Sequence, residues 1–335
     1  MTTASVLLTV SNSWNVAAEK CEKEDKVIKG SRELVALAAR ELRETPTTKE
    51  QALRLMREWI LKNSDIRNVR TDESFLLRFL RQKKYSIPMA QQTLLKYLNL
   101  RRFYPETSTK LDCESPRLRE IIESGYILIS PLRDGFGRRV IIYNVGKFDT
   151  SKYSCWDMAK MHVLIYESLL ENNIDQICGF THVGDGAGVN TSHILAWNPV
   201  DFARLFKWGE QSFPIRHKEV HVINIPSAMK YIVDFVCTKV TPKMAERLHI
   251  HNTLKSLHNK IDPACLPLSY GGNITMQEMV DNTKKILIEQ RQTILELDDM
   301  EIMDTRGIIS SKSVKQINNN EAISLEGSFR KLDID

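Results

Sequence analysis

No stretch of this 335-residue chain approaches the roughly 18 consecutive apolar residues that a membrane-spanning helix requires. Its six cysteines, at positions 21, 113, 155, 178, 237 and 265, form no CxxC pair and follow no regular spacing. A disulfide framework is therefore not expected. Cys178 and Cys237 sit in apolar runs, so buried thiols in a reducing compartment are predicted. There is no G-x-S-x-G elbow and no local cysteine-protease signature. Nothing in the chain gives a positive reason to expect catalysis or a cofactor. An excess of one charge is missing too: 47 Lys and Arg stand against 42 Asp and Glu, a formal net charge of +5. That balance argues against nucleic acid, and any anionic partner must be met by a local patch. Ala4 to Val10 is short and has no preceding basic region, so no secretory signal is expected. These absences predict a cytoplasmic chain whose membrane contact is peripheral.

What is present fits a soluble globular protein, with 42% hydrophobic and 27% charged residues. Residues 1–30 are polar and weakly patterned and read as a mobile arm. A helical module is expected over 31–115, opening with an amphipathic helix from Ser31 to Arg43. Thr48-Lys-Glu-Gln51 reads as a capping box for the helix that carries Leu53, Met56, Trp59 and Ile60. Thr71 or Asp72 caps the next helix, with Phe75, Leu76, Phe79 and Leu80 inward. Pro88 opens a third, running to about Arg102. From 116 to 275 the rhythm becomes strand–helix–strand. Strands are predicted at Tyr126–Ser130, Val140–Val145, Cys178–Val183 and Val220–Ile225, and helices at Trp156–Asn172 and Pro199–Gln211. The expected fold class is α/β, a mainly parallel sheet covered by helices and preceded by the small all-α module. Residues 276–335 read as an amphipathic helix, about Gln277 to Leu297, and a polar tail.

The most informative stretch runs from Glu219 to Val240. A strand ends at Asn224-x-Pro226 and passes into a segment with almost no polar face: from Ala228 to Val240 only Lys230, Asp234 and Lys239 are charged. Met229, Ile232, Val233, Val236 and Val240 share one helical face. A helix so apolar either fills a core or closes a cavity. Thr241-Pro242 restarts a helix, on which Lys243 and Arg247 lie at i, i+4 and face one way. Upstream, Phe213-Pro-Ile-Arg216-His-Lys218 adds two more cations.

These residues carry a resemblance. Ser212-Phe213-Pro214, Asn224-x-Pro226, Glu246-Arg247-Leu248-His249-Ile250-His251 and Leu266-Pro267-x-x-Tyr270-Gly271-Gly272 occur in the order found in the CRAL-TRIO lipid-transfer domain. Ser74-Phe-Leu-Leu-Arg-Phe-Leu-Arg81 resembles the N-terminal helical module of that family. The match covers about residues 45–275 and is most similar to alpha-tocopherol transfer protein-like members; Glu326 to Leu332 resembles insect ones. The resemblance implies a hydrophobic cavity gated by a mobile helix. It also implies that Lys83, Arg216, Lys218, Lys243 and Arg247 form a cleft for phosphoinositide headgroups such as phosphatidylinositol bisphosphate. Each such cation is worth about 1 kcal/mol beside an anionic leaflet, enough in sum for reversible docking. The cavity and gate candidates are Phe180, Leu205, Trp208, Phe213, Ile215, Met229, Ile232, Val233 and Val236.

Other chemistries fare less well. Gly184-Asp-Gly-Ala-Gly188 follows a strand but has Val189 where a G-x-G-x-x-G turn needs its last glycine, and no GK[ST] follows. His249-x-His251 and His217-x-x-x-His221 have metal-like spacing without supporting ligands, and structural or rim histidines are expected. The function expected is non-catalytic binding and transfer of a small hydrophobic lipid (a tocopherol, retinoid, carotenoid or similar) by a monomer that docks transiently on endosomal or other phosphoinositide-containing membranes. The alternative is a phosphoinositide sensor or membrane-trafficking adaptor.

Overall fold

The computed structural model of the protein describes residues 32–196, 209, 212–227, 234, 237–238 and 241–304. Its first half is helical: α1 (Arg32–Leu42), α2 (Pro46–Lys62), α3 (Glu73–Gln82) and α4 (Ile87–Phe103), with the two-residue strand β1 (Ile66–Arg67) before α3. The second helix starts earlier than the capping box at Thr48 predicted. Thr45 is the N-cap, its Oγ1 accepting from the Thr48 amide at 3.1 Å, and Pro46 takes the first turn. Proline loses nothing there, because that amide would have had no helical partner.

In α3 the four predicted inward residues are buried, and so are Leu77, Arg78 and Arg81. The Arg78 side chain has no exposed surface. It donates to Glu167 Oε2 at 2.8 Å and to Glu171 Oε1 at 2.6 Å, with its guanidinium carbon 4.9 Å from the centre of the Phe75 ring. Both acceptors belong to or end the long helix α7 (Cys155–Leu170), capped by a Ser154/Asp157 box. Arg81 reaches Glu44, Asn173 and Gln176. Buried, ion-paired arginines thus join the helical part to the sheet part.

Two short helices, α5 (Pro105–Ser108) and α6 (Pro116–Glu123), lead into a five-stranded sheet. Its strands are β2 (Ile127–Arg133), β3 (Arg139–Asn144), β4 (Phe180–Asp185), β5 (His217–Ile223) and β6 (Leu248–His251), lying in that order. The β2–β3 pair is antiparallel and the other three pairs are parallel. Four strands match the predicted ones. β6 corrects the expectation of a helix carrying both Lys243 and Arg247: the helix α10 spans only Pro242–Ala245, and the Arg247 carbonyl already accepts from the Val220 amide at 2.9 Å. A strand bonded to β5 outcompetes further helix because it satisfies that edge's backbone groups.

Side chains alternate across the sheet. Ile127, Ile129 and Ile141 face the core shared with α7 and the helical part. Leu128, Val140, Ile142 and Val183 face a second core made with Leu257, Leu266, Tyr270, Met279 and Val280. The remaining elements are α8 (Asn173–Cys178), α9 (Thr191–Ala196), α11 (Leu254–His258), α12 (Met276–Leu295) and β7 (Glu301–Ile302). Thr275 caps α12 in a box with Glu278, and β7 pairs antiparallel with β1. The helix expected at Pro199–Gln211, the stretch 1–30 and the tail beyond 304 lie outside the described residues or nearly so. Among the described residues no cysteine is disulfide-bonded; Cys178 is buried, whereas Cys237 is only half-buried.

Two of the motifs that carry the resemblance, around Asn224 and Tyr270, meet at one knot. Tyr270 Oη lies 2.6 Å from both Asn144 Oδ1 and Asp185 Oδ2, and Asn224 Nδ2 donates to Asp185 Oδ1 at 2.9 Å. Gly272 is required because a Cβ there would stand 1.8 Å from the Leu266 carbonyl oxygen. Tyr270→Phe removes the hydroxyl from two buried acceptors and should cost about 1–3 kcal/mol of stability. Urea unfolding measures it, and a loss below the error of the fit would show that the knot contributes little.

Candidate functional site

A cavity of about 270 Å³ lies between the sheet, α7 and the helical part. Leu100 and Thr107 close one side, and Met158, Ala159 and Val163 of α7 cover it. Phe213, Ile215, Val220 and Met244 supply apolar wall from the chain around β5. Two of the predicted lining residues, Phe213 and Ile215, are therefore in place. Phe180 is fully buried in the core and is not part of the lining. Leu205, Trp208, Met229, Ile232, Val233 and Val236 lie outside the described residues, as does most of the expected gate stretch 228–240.

One strand position gives the cavity its depth. Gly184 lines it, pairing with Tyr143 on β3 and Val222 on β5. A Cβ at Gly184 would meet nothing nearer than the His221 carbonyl oxygen at 3.9 Å, so the space above it is open. A glycine inside a strand often marks close approach of a ligand. Gly186 in the same turn and Gly146, which packs against it from the β3 side, act otherwise: Cβ atoms there would collide with Asn224 O at 2.7 Å and Ala187 O at 2.2 Å. Protein backbone thus crowds Gly186 in the turn that invited a nucleotide reading.

Sequence reasoning missed the polar part of this wall. Tyr166 Oη lies 3.0 Å from Tyr143 Oη, which lies 2.9 Å from His182 Nδ1; His182 Nε2 lies 2.8 Å from His217 Nδ1. His162 stacks on Tyr143 with ring centres 5.0 Å apart and planes 10° from parallel, and its Nε2 is 3.0 Å from Tyr126 Oη. Burial pulls the His162 imidazole down to about 4. Burial, with the nearby Arg247 charge, does the same to His217, and burial with its histidine neighbours holds His182 well below the usual range. Burial pushes Tyr166 up to about 12 and Tyr143 well above its ordinary value. All five groups are neutral at pH 7.

A neutral imidazole donates from one nitrogen and accepts at the other. The chain Tyr166–Tyr143–His182–His217 therefore has two self-consistent directions. If Tyr143 donates to His182, Tyr166 ends as an acceptor; if the tautomers reverse, Tyr166 ends as a donor. The strip can meet a hydroxyl in either direction or a carbonyl in one, and among the described lining residues none carries a charge to balance a carboxylate.

The predicted cations gather where β5 begins. Phe180 pairs with His217 and Thr181 with Glu219, so Lys218 stands opposite no residue of β4. This bulge restores His217 and Val220 to the cavity side and turns Lys218 away from it. Arg216 donates through Nη1 to the carbonyls of Ile177 and Gln176, and through Nη2 to Glu41 Oε2 at 2.8 Å. Lys218 Nζ pairs with the same carboxylate oxygen. Arg247 donates from Nη1 to the His217 carbonyl, linking the basic edge to a cavity residue. Burial, then Arg247, Lys84 and Arg216 in that order, lowers the Lys243 ammonium, which places these four charges in one field. Lys84, adjacent to the predicted Lys83, is the contributor from that turn; Lys83 caps α3 and is half-buried.

His217 and His221 do not form a pair. His217 faces the cavity, while His221 is fully buried on the other side, 2.9 Å from His251 Nε2. Among the described residues no group of three or more His, Cys, Asp and Glu is arranged to hold a metal. Nor is any described helix long and apolar enough to cross a membrane.

Sheet, covering helices and a cavity whose described lining is uncharged, with a hydrogen-bonding strip along it, define an α/β protein built round an apolar pocket. Residues 123–272 match the model of the CRAL/TRIO domain. Alpha-tocopherol transfer protein-like from Homo sapiens is 30% identical over 241 residues, 72% of this chain and 70% of that protein. Clavesin-1 from Xenopus laevis is 29% identical over 71% of this chain and 72% of its own length, and clavesin-2 from Mus musculus 25% identical over 85% and 89%. The chain belongs to the CRAL/TRIO lipid-transfer family.

Proposed function

We propose that this protein carries one small, neutral, largely hydrocarbon molecule with a single hydroxyl or carbonyl, and exchanges it at phosphoinositide-bearing membranes without chemical conversion. The observation that carries this reading is the cavity: apolar on most sides, lined by one uncharged hydrogen-bond chain, and near the lower end of ligand-pocket volumes. The name of the human relative points to tocopherol, which has this chemistry. A ligand burying about 400 Å² of apolar surface would gain on the order of 10 kcal/mol before the costs of binding.

Gly184→Phe tests the proposal with little risk to the fold, since the site is open and an aromatic residue suits a strand. It fills the cavity, so uptake of a fluorescent tocopherol or retinol analogue should fall about a hundredfold at unchanged Tm. Uptake equal to that of the original chain would sink the cavity reading, as would failure of the original chain to bind any member of a broad lipid panel.

Docking rests on Arg216, Lys218, Lys243, Arg247 and the turn Lys83–Lys84. A headgroup held there can favour ligand exit only through its differential affinity for the open state, and the contact from Arg247 to the His217 carbonyl supplies a physical connection. Vesicles with 5 mol% phosphatidylinositol bisphosphate should speed ligand release about tenfold, the effect falling with salt. Lys243→Ala/Arg247→Ala should abolish the acceleration. Equal acceleration in both proteins would remove this pair from the mechanism. A sensor, by contrast, would bind these vesicles yet move no second lipid between them.

A further inference from the structure

Arg216 and Lys218 are the two cations best placed to hold a phosphate, yet both are spent on a carboxylate of the same chain. Glu41 Oε2 accepts from Arg216 Nη2 at 2.8 Å and from Lys218 Nζ. One oxygen shared by a guanidinium and an ammonium is the arrangement a phosphate oxygen would adopt in the same place. We propose that Glu41 is a built-in anion occupying the headgroup site, and that a membrane phosphoinositide binds by displacing it together with α1. The inference rests on the docking role proposed above and adds its regulation.

The cations keep their position without Glu41. Arg216 is moored through Nη1 to the carbonyls of Gln176 and Ile177 at the end of α8, and Lys218 is presented by the β5 bulge. Removing the carboxylate would leave Arg216 Nη2 and Lys218 Nζ aimed at one point, with Lys243 and Arg247 in the same field. That gathering of like charge favours an anion bearing more than one negative charge over the single charge of Glu41.

The element bearing Glu41 is anchored apart from the main core. Leu34, Ala38 and Leu42 of α1 form a small cluster with Ile174, Ile177 and Cys178, separate from the main core, with Leu37 packed against it. Segments with few buried apolar contacts open at low free-energy cost. A hinge follows at once: Arg43 has φ +64°, and Thr45 starts α2 as its N-cap. The next acid, Glu44, is bonded to Arg81 by Nε at 2.8 Å and Nη2 at 2.9 Å. α1 can therefore swing about a point that stays tethered, and Glu41 lies on the moving side. Glu41 is one-third exposed on its side chain, so a headgroup can reach the pair before it breaks.

Competition makes the two events reciprocal: headgroup binding releases α1, and weakening the grip of α1 strengthens headgroup binding. The experiment is co-sedimentation of the full chain with vesicles containing 5 mol% phosphatidylinositol bisphosphate, beside phosphatidylserine vesicles of equal charge and a soluble inositol trisphosphate competitor. It is run for the original chain, Glu41→Gln and Arg216→Ala/Lys218→Ala. Hydrogen exchange of residues 32–42 is followed with and without vesicles. Glu41→Gln should bind about tenfold more tightly, and in the original chain α1 should lose protection on bisphosphate vesicles but not on phosphatidylserine. If Glu41→Gln binds no more tightly while Arg216→Ala/Lys218→Ala weakens binding, the docking reading stands and the displacement proposal falls. If neither variant changes binding, the docking site itself is wrong. Protection of α1 that stays constant on bound vesicles also overturns the proposal, without reliance on any variant. Loss of protection produced equally by the soluble headgroup would assign the site to free inositol phosphates in place of a bilayer.

Discussion

Arg78→Met should lower the unfolding free energy by about 3–5 kcal/mol, the usual consequence of leaving a buried charge without its partner. Glu167 has no exposed side-chain surface, and Arg78 donates to it at 2.8 Å. Its other oxygen accepts from Tyr97 Oη at 2.6 Å, while Arg101 stands 4.0 Å away. Methionine would fill the space of the guanidinium stem yet neutralise nothing. Glu171 suffers less, because Arg70 still donates to it at 2.7 Å. The double change Arg78→Met/Glu167→Leu should recover most of the loss, since replacing both partners of a buried pair by apolar groups is often close to neutral. The Tyr97 hydroxyl would then be orphaned, so Tyr97→Phe completes the repair. Urea unfolding of the single, double and triple variants reads this out. A single variant within 1 kcal/mol of the original chain would show that the pair does not join the helical part to α7 in the way described.

Why these arginines escaped a reading of the sequence is instructive. Phe75, Leu76, Phe79 and Leu80 already mark an apolar face, and an arginine on the same helix is by default placed in water. Burial of Arg78 and Arg81 depends on acids supplied near positions 44, 167 and 171, which helical period cannot reveal. Their spacing at i, i+3 in a helix with very little polar surface was the available signal. The strand–helix alternation was legible because each element is long enough to show its own period. β6 was hidden, as four residues after a proline-started turn are too few to distinguish strand from continuing helix. The cavity wall was legible at Phe213 and Ile215, which lie close to a recognisable motif. The polar chain was not, since Tyr143, Tyr166, His182 and His217 are scattered over about 75 positions and only sheet register, with α7 packed across it, brings them together. Glu41 was invisible for the same reason: its partners lie some 175 residues away.

That polar chain should also make acid the strongest perturbation of this protein short of denaturant. His162 and His217 are held at about 4 in the folded chain, chiefly by burial, against about 6.5 when unfolded. Between these values the unfolded chain binds protons that the folded chain refuses, so stability rises with pH there and is lost as pH falls from 6.5 towards 4. A shift of this size in one imidazole corresponds to on the order of 3 kcal/mol, and His182, moved in the same direction, adds to it. The groups facing the cluster oppose its protonation or fail to help it. Tyr126, Tyr143 and Tyr166 are neutral, the three histidines repel one another, and the Arg247 charge bears directly on His217. Carboxylates such as Glu44 and Glu171, held low by their arginine partners, begin to cost stability once pH falls to about 5, where the unfolded chain starts to bind their protons. The interval from pH 6.5 to about 5 is therefore governed by histidines, with His221 on the other face of the sheet adding to the cavity cluster. His162→Phe keeps a flat ring against Tyr143 and removes one titrating site, so stability should fall less steeply with acid across that interval. The same interval should see the ligand leave, because a charge introduced into an apolar cavity draws in water that competes for its wall. Parallel urea titrations and ligand-retention measurements at half-unit pH steps test both claims. An unchanged slope for His162→Phe would mean that this histidine is not among the groups that take up the proton.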